Sequence, residues 1–169
     1  EKNKCIGLDP RLHSIEEVSK IIELAKKNET SLHFTSPNLI DELWQNKPKR
    51  QYSIIFDHPV NYAGIDALDK VDQFVKELKN NSLDGYFLSS LDSIAWLLNI
   101  RADDILHTPL AFSYLFVSVE SKPVLYLSIE KLNDDLRNRL SNFLILKPLE
   151  EIEDVFNDLT KNIKIGFDY

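Results

Sequence analysis

The side chains that could do chemistry are few and widely spaced along this chain of 169 residues. The densest group is Asp103, Asp104 and His107, whose carboxylates and imidazole are ligand types that zinc or a harder cation accepts. A dependable metal site needs three or four converging ligands, whereas a solvated loop with a capping acid explains these residues more simply. The sequence therefore predicts no metal site here.

A carboxylate next to an imidazole, Asp57-His58, is the second candidate, because a carboxylate can orient a general base. Adjacent side chains point apart on an extended chain, so we predict that His58 is a turn residue before Pro59. Cys5 lies in an apolar run, and we expect its thiol to be buried and inert. The chain has no paired-histidine zinc motif, nucleophile elbow or glycine-rich phosphate loop. Composition leaves a Ser-His-Asp triad open, but we predict no catalytic residue and no bound cofactor.

Charge and composition narrow the class of protein further. The net charge is −7, which disfavours nucleic acid as a partner, and no apolar run is long enough to span a bilayer. A single cysteine allows no internal disulfide, so we expect a reducing, cytoplasmic location. The chain begins at Glu1 and contains no methionine, and we interpret it as a fragment of a longer protein.

The elements that must position any site alternate between strands and helices. Ser14 and Glu17 form a capping box that should begin a helix reaching about Lys27. Apolar spacing predicts a long helix over 66–80 and a short one over 91–98. Two strands, 111–119 and 123–128, should pair as an antiparallel hairpin. Further strands are predicted over 4–8, 31–35, 53–56, 84–88, 143–146 and 163–167. Further helices are predicted over 38–44, 129–138 and 149–159, and a loop is predicted over 58–64. This order predicts an α/β fold with a mixed β-sheet flanked by helices.

Two pentapeptides near the ends of the chain look alike. Residues 5–9 read Cys-Ile-Gly-Leu-Asp, and residues 164–168 read Lys-Ile-Gly-Phe-Asp. One such pair is weak evidence for a repeat. We interpret both as short buried strands that leave a sheet.

Several spaced segments carry a family resemblance. Residues 91–101, LDSIAWLLNIR, resemble the LDxIAWLxNxRG segment of the aminopeptidase P (Xaa-Pro aminopeptidase) family, and residues 107–114 resemble its HxPxxxSY continuation. Residues 58–70 are similar to its HPxxYAGxxxxxK segment. Residues 38–48 are similar to its NLVDxxW…RP segment, and residues 6–14 to the strand that precedes it. The order is right, and the resemblance covers essentially the whole chain.

The resemblance implies a place in a larger enzyme. It identifies residues 1–169 as a single creatinase/prolidase N-terminal-like domain, the middle domain of a longer peptidase that cleaves X-Pro bonds at N-termini. The family's catalytic pita-bread domain, which uses two divalent ions that are often manganese, is absent from these residues. The implied partners are that catalytic domain and the first N-terminal domain of the same protein, with a homodimer possible. We expect no enzymatic activity from this chain alone.

The resemblance also implies that residues 89–114 form a wall near the entrance to the active site. The residues predicted to lie near substrate or at a domain interface are Trp96, Asn99, Arg101, His107 and Tyr114. Asn99 should end the helix, and Arg101 should pair with a carboxylate, either Asp103 or Asp104 or one on a neighbouring domain. Ala102 replaces the family's glycine, which puts a substrate-facing role for Arg101 in doubt.

Two other functions remain open from the sequence. The chain could be a free-standing interaction or ligand-binding module derived from such an enzyme. It could also be an independent small hydrolase that uses the acidic cluster near His107, which the missing ligands argue against.

Overall fold

The computed structural model describes residues 4–36, 38–48, 53–157 and 163–168. By internal packing the chain divides into two compact units, residues 1–50 and residues 51–169. The assignment of residues 1–169 to one domain therefore stays a prediction. Within the described parts of the chain, no helix is long and apolar enough to cross a membrane.

Unit 1 (residues 1–50) is a small parallel βαβ arrangement. It contains β1 (Cys5–Leu8), α1 (Ile15–Lys27), β2 (Ser31–Phe34) and α2 (Leu39–Leu43). The predicted capping box is confirmed: the Glu17 amide donates to Ser14 Oγ over 3.2 Å, and the Ser14 amide donates to Glu17 Oε2 over 2.8 Å. The bonds that the Ser14 amide and hydroxyl donate to the Glu17 carboxylate lower the pKa of Glu17. The prediction for Cys5 is wrong, because this residue is exposed on β1.

Unit 2 (residues 51–169) is built on a mixed five-stranded sheet in the order β8-β7-β6-β4-β9, with a separate antiparallel pair of β3 and β5. Its strands are β3 (Phe56–Asp57), β4 (Gly85–Leu88), β5 (Ile100–Arg101), β6 (Ser113–Ser118), β7 (Val124–Leu127), β8 (Ile145–Pro148) and β9 (Ile165–Phe167). Its helices are α3 (Val60–Ala63), α4 (Ala67–Asn80), α5 (Leu91–Leu98), α6 (Asp134–Ser141) and α7 (Asp154–Asn157). Strand β6 runs antiparallel to β4 and β7, while β8 and β9 are parallel to the strands they join. The predicted α/β fold with a mixed sheet flanked by helices is confirmed.

The two faces of this sheet carry different layers because alternate residues of each strand point to opposite sides. On face A, Leu115 and Val117 of β6 pack with apolar residues of α4, α5 and α6 in the main core. On face B, Tyr114 and Phe116 pack with the 3-10 helix Leu149–Glu153 and with Val155 of α7. Face A holds most of the fully buried side chains, so α4 and α5 sit on the best-packed part of the molecule.

Local predictions fail where caps interrupt an apolar pattern. The loop predicted over 58–64 contains the one-turn helix α3. The helix predicted over 129–138 is a 3-10 helix, Ile129–Lys131, followed by α6, because the Asn133 side chain accepts the Leu136 amide over 2.8 Å and starts a new helix. The strand predicted over 143–146 lies two residues later, and the last helix is mainly 3-10. Leu159, predicted in that helix, lies outside the described residues.

The two similar pentapeptides have similar structures. Each contributes a parallel strand, β1 beside β2 and β9 beside β4, and each ends in an aspartate that accepts backbone amides. Asp9 accepts the Arg11 amide over 2.9 Å, and Asp168 accepts the amides of Ser89 and Ser90 over 2.5 to 2.9 Å. The prediction that both strands are buried is wrong. Only Leu8 of β1 is buried, and the residues of β9 are half-buried or exposed.

Candidate functional site

Helix α5 presents one large side chain outward from an otherwise buried element. Its apolar positions face the core of face A, where Ile94 and Leu98 are fully buried, while Trp96 is 57% exposed. Ser90, which precedes the helix, makes no side-chain capping bond, and Asp92 in the first turn accepts the Ser93 amide over 2.9 Å. Asp168, the residue after β9, holds the segment before the helix, since its carboxylate accepts the amides of Ser89 and Ser90. Burial acts to raise the pKa of Asp168, but these hydrogen bonds outweigh it and lower the pKa.

Asn99 ends α5 and joins it to the segment before α4. Its backbone has the left-handed conformation, with φ of 53°, which stops the helix as predicted. Its carbonyl accepts the His58 amide over 2.8 Å, and its side-chain amide donates to the Ile65 carbonyl over 3.0 Å. Its Oδ1 accepts from Lys70 Nζ over 2.7 Å. Asn99 thus connects residues 58–70 with residues 91–101.

Lys70 is a buried ammonium group on α4, only 3% exposed. Its Nζ donates to the Trp96 carbonyl over 2.5 Å and lies 4.2 Å from the centre of the Trp96 ring, a distance typical of a cation–π contact. Burial lowers the pKa of Lys70, and the charge of Arg101 lowers it further, while Asp66 acts in the opposite direction. In the described parts of unit 2 no carboxylate forms an ion pair with Lys70, so a carbonyl, an amide oxygen and an indole face surround its charge.

Arg101 is bound by backbone carbonyls rather than by a carboxylate. Its guanidinium donates to the carbonyls of Ala95 and Ile100 over 2.7 and 2.8 Å. Asp104 instead accepts the amides of Ser53 and Phe112 over 2.6 and 2.9 Å. The predicted pairing of Arg101 with Asp103 or Asp104 is therefore wrong. The Asp104 carboxylate instead holds its own loop in place by accepting these two backbone amides.

Three cationic side chains converge on the carboxyl end of α5. Lys70 donates to the carbonyl of Trp96, Arg101 to that of Ala95, and Arg139 from α6 to that of Leu98 over 3.2 Å. The last four carbonyls of a helix have no partner within the helix, and this end carries the negative pole of its dipole. Cations from three elements therefore fix α5 at the end that carries Trp96.

A groove runs between α4 and α5, which we call the α4–α5 groove. It encloses about 610 Å³ and is mainly apolar. Its lining consists of Lys70, Gln73, Phe74, Lys76, Glu77, Leu88, Asp92, Ser93, Trp96 and Leu97. Trp96 forms one wall and Phe74 lies on the other helix. The groove has the size and apolar character of sites that hold a small molecule or a side chain of a partner.

The structure brings only part of the predicted site together. Trp96, Asn99 and Arg101 meet at the end of α5. Tyr114 lies on face B, the opposite side of the sheet, where its ring stacks at 5.8 Å on Phe87. His107 lies in an exposed turn, with φ of 62°. The Thr108 amide closes this turn by donating to the Ile105 carbonyl over 3.0 Å.

Two residues of this site were absent from the predicted set. Lys70 was recognisable in the sequence, because it lies between Ala67 and Val71 on the buried stripe of α4 where a charge needs a partner. Arg139 gave no local signal, since its partner Leu98 is far away in the sequence.

Among the residues that the structure describes, no group of three or more His, Cys, Asp or Glu could hold a metal ion. We therefore derive no metal chemistry from these side chains.

Comparison with known proteins places this geometry in a family. The chain is 35% identical over 153 residues to a probable Xaa-Pro aminopeptidase P from Talaromyces marneffei, a match that covers 90% of this chain and 23% of the relative. It is 33% identical over 168 residues to a protein of the same name from Tuber melanosporum, covering 98% of this chain and 27% of the relative. The chain thus spans about a quarter of the length of these relatives.

A solved structure agrees with the sequence relatives. The X-prolyl aminopeptidase from Caenorhabditis elegans, described as a cytosolic enzyme with a di-nuclear active site, superposes with a TM-score of 0.82 at 29% identity. The match covers 94% of this chain and 26% of that one. A model of the creatinase/prolidase N-terminal domain matches residues 46–168, close to the bounds of unit 2. The chain therefore belongs to the creatinase/prolidase N-terminal domain family and is homologous to the corresponding region of Xaa-Pro aminopeptidases.

Proposed function

We propose that this chain is a non-catalytic domain of an Xaa-Pro aminopeptidase-like metallopeptidase that shapes substrate access and packs against the neighbouring domains. Family membership and the quarter-length match to Xaa-Pro aminopeptidases support the proposal. The catalytic domain, its two divalent ions, often manganese, and the bond cleavage would all be supplied by the rest of the protein. In this proposal the chain is the middle domain, and the location is cytoplasmic, as described for the C. elegans enzyme.

The observation that carries the proposal is the exposed Trp96 on a rigid support. A lone exposed tryptophan is ordinary, but here Lys70 lies over its ring and holds its carbonyl, while Arg101 and Asn99 fix the same helix turn. Lys70 and Arg101 have no carboxylate partners in the described parts of unit 2. Burying such charges costs free energy, which a surface without a partner would not require. A pre-organised wall that faces a peptide or another domain explains the arrangement.

The exposed hydrophobic residues of unit 1 favour a neighbouring domain as a second partner. Among its described hydrophobic residues only Leu8 and Ala25 are buried, whereas Ile15 is 89% exposed and Leu43 is 79% exposed. Such a unit buries too little apolar surface to be stable alone. We expect the first N-terminal domain of the same protein to cover it.

A free-standing interaction or ligand-binding module is the second candidate, and the α4–α5 groove is the observation that favours it. A mainly apolar groove of about 610 Å³ with polar groups at its rim could hold a ligand without any catalytic domain. This candidate predicts that the gene encodes no peptidase domain after residue 169.

The test uses the full-length gene product with manganese and an X-Pro peptide. We expect release of the N-terminal residue, and we expect Trp96→Ala to raise KM several-fold while changing kcat less, because a wall residue affects access. Leu106→Ala, which removes a side chain that is 82% exposed, is the matched control and should leave both constants unchanged. Failure of the intact protein to cleave the peptide, or equal effects of the two substitutions, would contradict the proposal.

A further inference from the structure

The α4–α5 groove combines apolar walls with charged groups of both signs. Trp96 belongs to its walls and is half exposed. Four of the residues that line the groove are charged, namely Lys70, Lys76, Glu77 and Asp92. Their positions along the two helices decide which ligand the groove complements, because opposite charges attract most strongly where water is largely excluded.

The Lys70 ammonium has a donor left for an anionic ligand. An ammonium group carries three N–H donors. Two of them donate to the Trp96 carbonyl and to Asn99 Oδ1, and the described residues of unit 2 supply no third acceptor. Lys70 is part of the groove lining, so a ligand in the groove meets this residue directly. A carboxylate is the group that a buried cation without an ionic partner binds most strongly. The anionic end of the ligand therefore belongs at Lys70.

The groove carries the opposite charge farther from Lys70. Glu77 comes seven residues later on α4, which is about 10 Å along the helix axis. Its side chain is exposed and forms no ion pair with a described residue of unit 2. Asp92 lies in the first turn of α5, whereas Lys70 contacts the last turn. Lys76 offsets only one of these two carboxylates, so this part of the groove suits an amine.

The spacing of the charges and the polar groups between them indicate the chemical class of the ligand. In an extended peptide three residues span about 10 Å, so the amino and carboxyl groups of a tripeptide match this spacing. Gln73 and Ser93 also line the groove, and their side chains can hydrogen-bond a peptide backbone. A fatty acid would match the apolar walls and Lys70, but it would leave Glu77 and these polar groups without partners.

We propose that the α4–α5 groove binds a short peptide of about three apolar residues with both termini free. Its carboxylate lies at Lys70, its amine lies at Glu77, and an apolar side chain packs on Trp96. This inference goes beyond the proposed function, because the peptide needs no proline and its binding needs no bond cleavage.

Isothermal titration calorimetry of the full-length gene product with trileucine tests the proposal. The buffer contains EDTA, so that a metal centre elsewhere in the protein does not hold the peptide. We expect saturable binding that weakens about tenfold or more when the peptide carboxylate is amidated, because Lys70 loses a charged acceptor. Acetylation of the peptide amine should weaken binding about threefold, because Glu77 is exposed. Absence of saturable binding, or an amide that binds as tightly as the free acid, would overturn the proposal.

Four substitutions locate the bound peptide. Trp96→Ala should weaken trileucine binding about fivefold or more. Tyr62→Ala, which removes an aromatic ring that is 80% exposed and outside the groove lining, is the matched control. Glu77→Gln should weaken binding of the free peptide but not of the acetylated one, while Asp72→Asn on the exposed side of the same helix should change neither. Equal effects within either pair would contradict the assignment.

X-Pro cleavage by the same samples with manganese separates this inference from the proposed function. Trileucine binding without X-Pro cleavage supports the groove as a peptide site and refutes the peptidase function. Cleavage without trileucine binding overturns the peptide site and leaves the peptidase function intact.

Discussion

Replacement of Lys70 by methionine tests whether the buried ammonium holds α5 in place. Methionine keeps the apolar stem but removes the donor, so the Trp96 carbonyl and the Asn99 Oδ1 lose their partner. Each unpaired buried acceptor costs about 1 to 3 kcal/mol, and loss of the cation over the Trp96 ring adds about 1 kcal/mol. Removal of the buried charge offsets part of this loss, because desolvation of the charge costs several kcal/mol. We expect a net loss of about 2 kcal/mol in the free energy of unfolding of unit 2.

Urea unfolding followed by circular dichroism measures this loss. Lys76→Met is the matched control, because Lys76 is exposed on the same helix and its replacement should change stability by less than about 0.5 kcal/mol. A double-mutant cycle with Asn99→Ala isolates the Lys70–Asn99 contact, for which we expect a coupling of about 1 kcal/mol or more. Additive effects in the cycle, or equal effects of the two lysine replacements, would refute the reasoning.

The same residue predicts a pH dependence with a definite sign. Because the pKa of Lys70 in the folded protein lies below the ordinary value of 10.5, the unfolded chain binds more protons between those two values. The contribution of Lys70 to stability must therefore rise with pH across that interval. The stability difference between the wild type and Lys70→Met should grow as the pH approaches 10.5, and a constant or shrinking difference would contradict this assignment.

Three further substitutions test individual elements of the two units. Gly166→Ala should lower stability by about 1 to 3 kcal/mol in urea unfolding, because its Cβ would overlap the ring of Tyr86. Asp168→Asn should reduce the loss of folding stability at low pH, which circular dichroism measures. The pKa of Asp168 is below the ordinary 3.8, so the stability from its bonds to Ser89 is present above that value and is lost as the pH falls through the lowered pKa. Ser14→Ala should destabilise α1 by about 1 kcal/mol, seen as faster amide exchange in that helix, because the capping bond to the first turn is lost.

The sequence predicts features that depend on neighbours in the chain. The capping box at Ser14, the buried stripe of α4 and the hairpin of β6 and β7 follow from spacing alone, and all are present. The error about the partner of Arg101 comes from competition by residues outside its own segment. Asp104 does not pair with Arg101, because its carboxylate accepts the amides of Ser53 and Phe112, and Ser53 is far from it in the sequence.

The end of α5 shows why the candidate site was only partly predictable. Trp96, Asn99 and Arg101 lie within six residues, so their proximity follows from the chain itself. Lys70 and Arg139 join them from α4 and α6, and each is placed by the packing of its own helix on face A. Because burial positions those helices, the cations reach the carbonyls of α5 only in the packed core. The support for Trp96 is therefore a consequence of the whole fold of unit 2, and substitutions in α4 should move that tryptophan as strongly as changes in α5 itself.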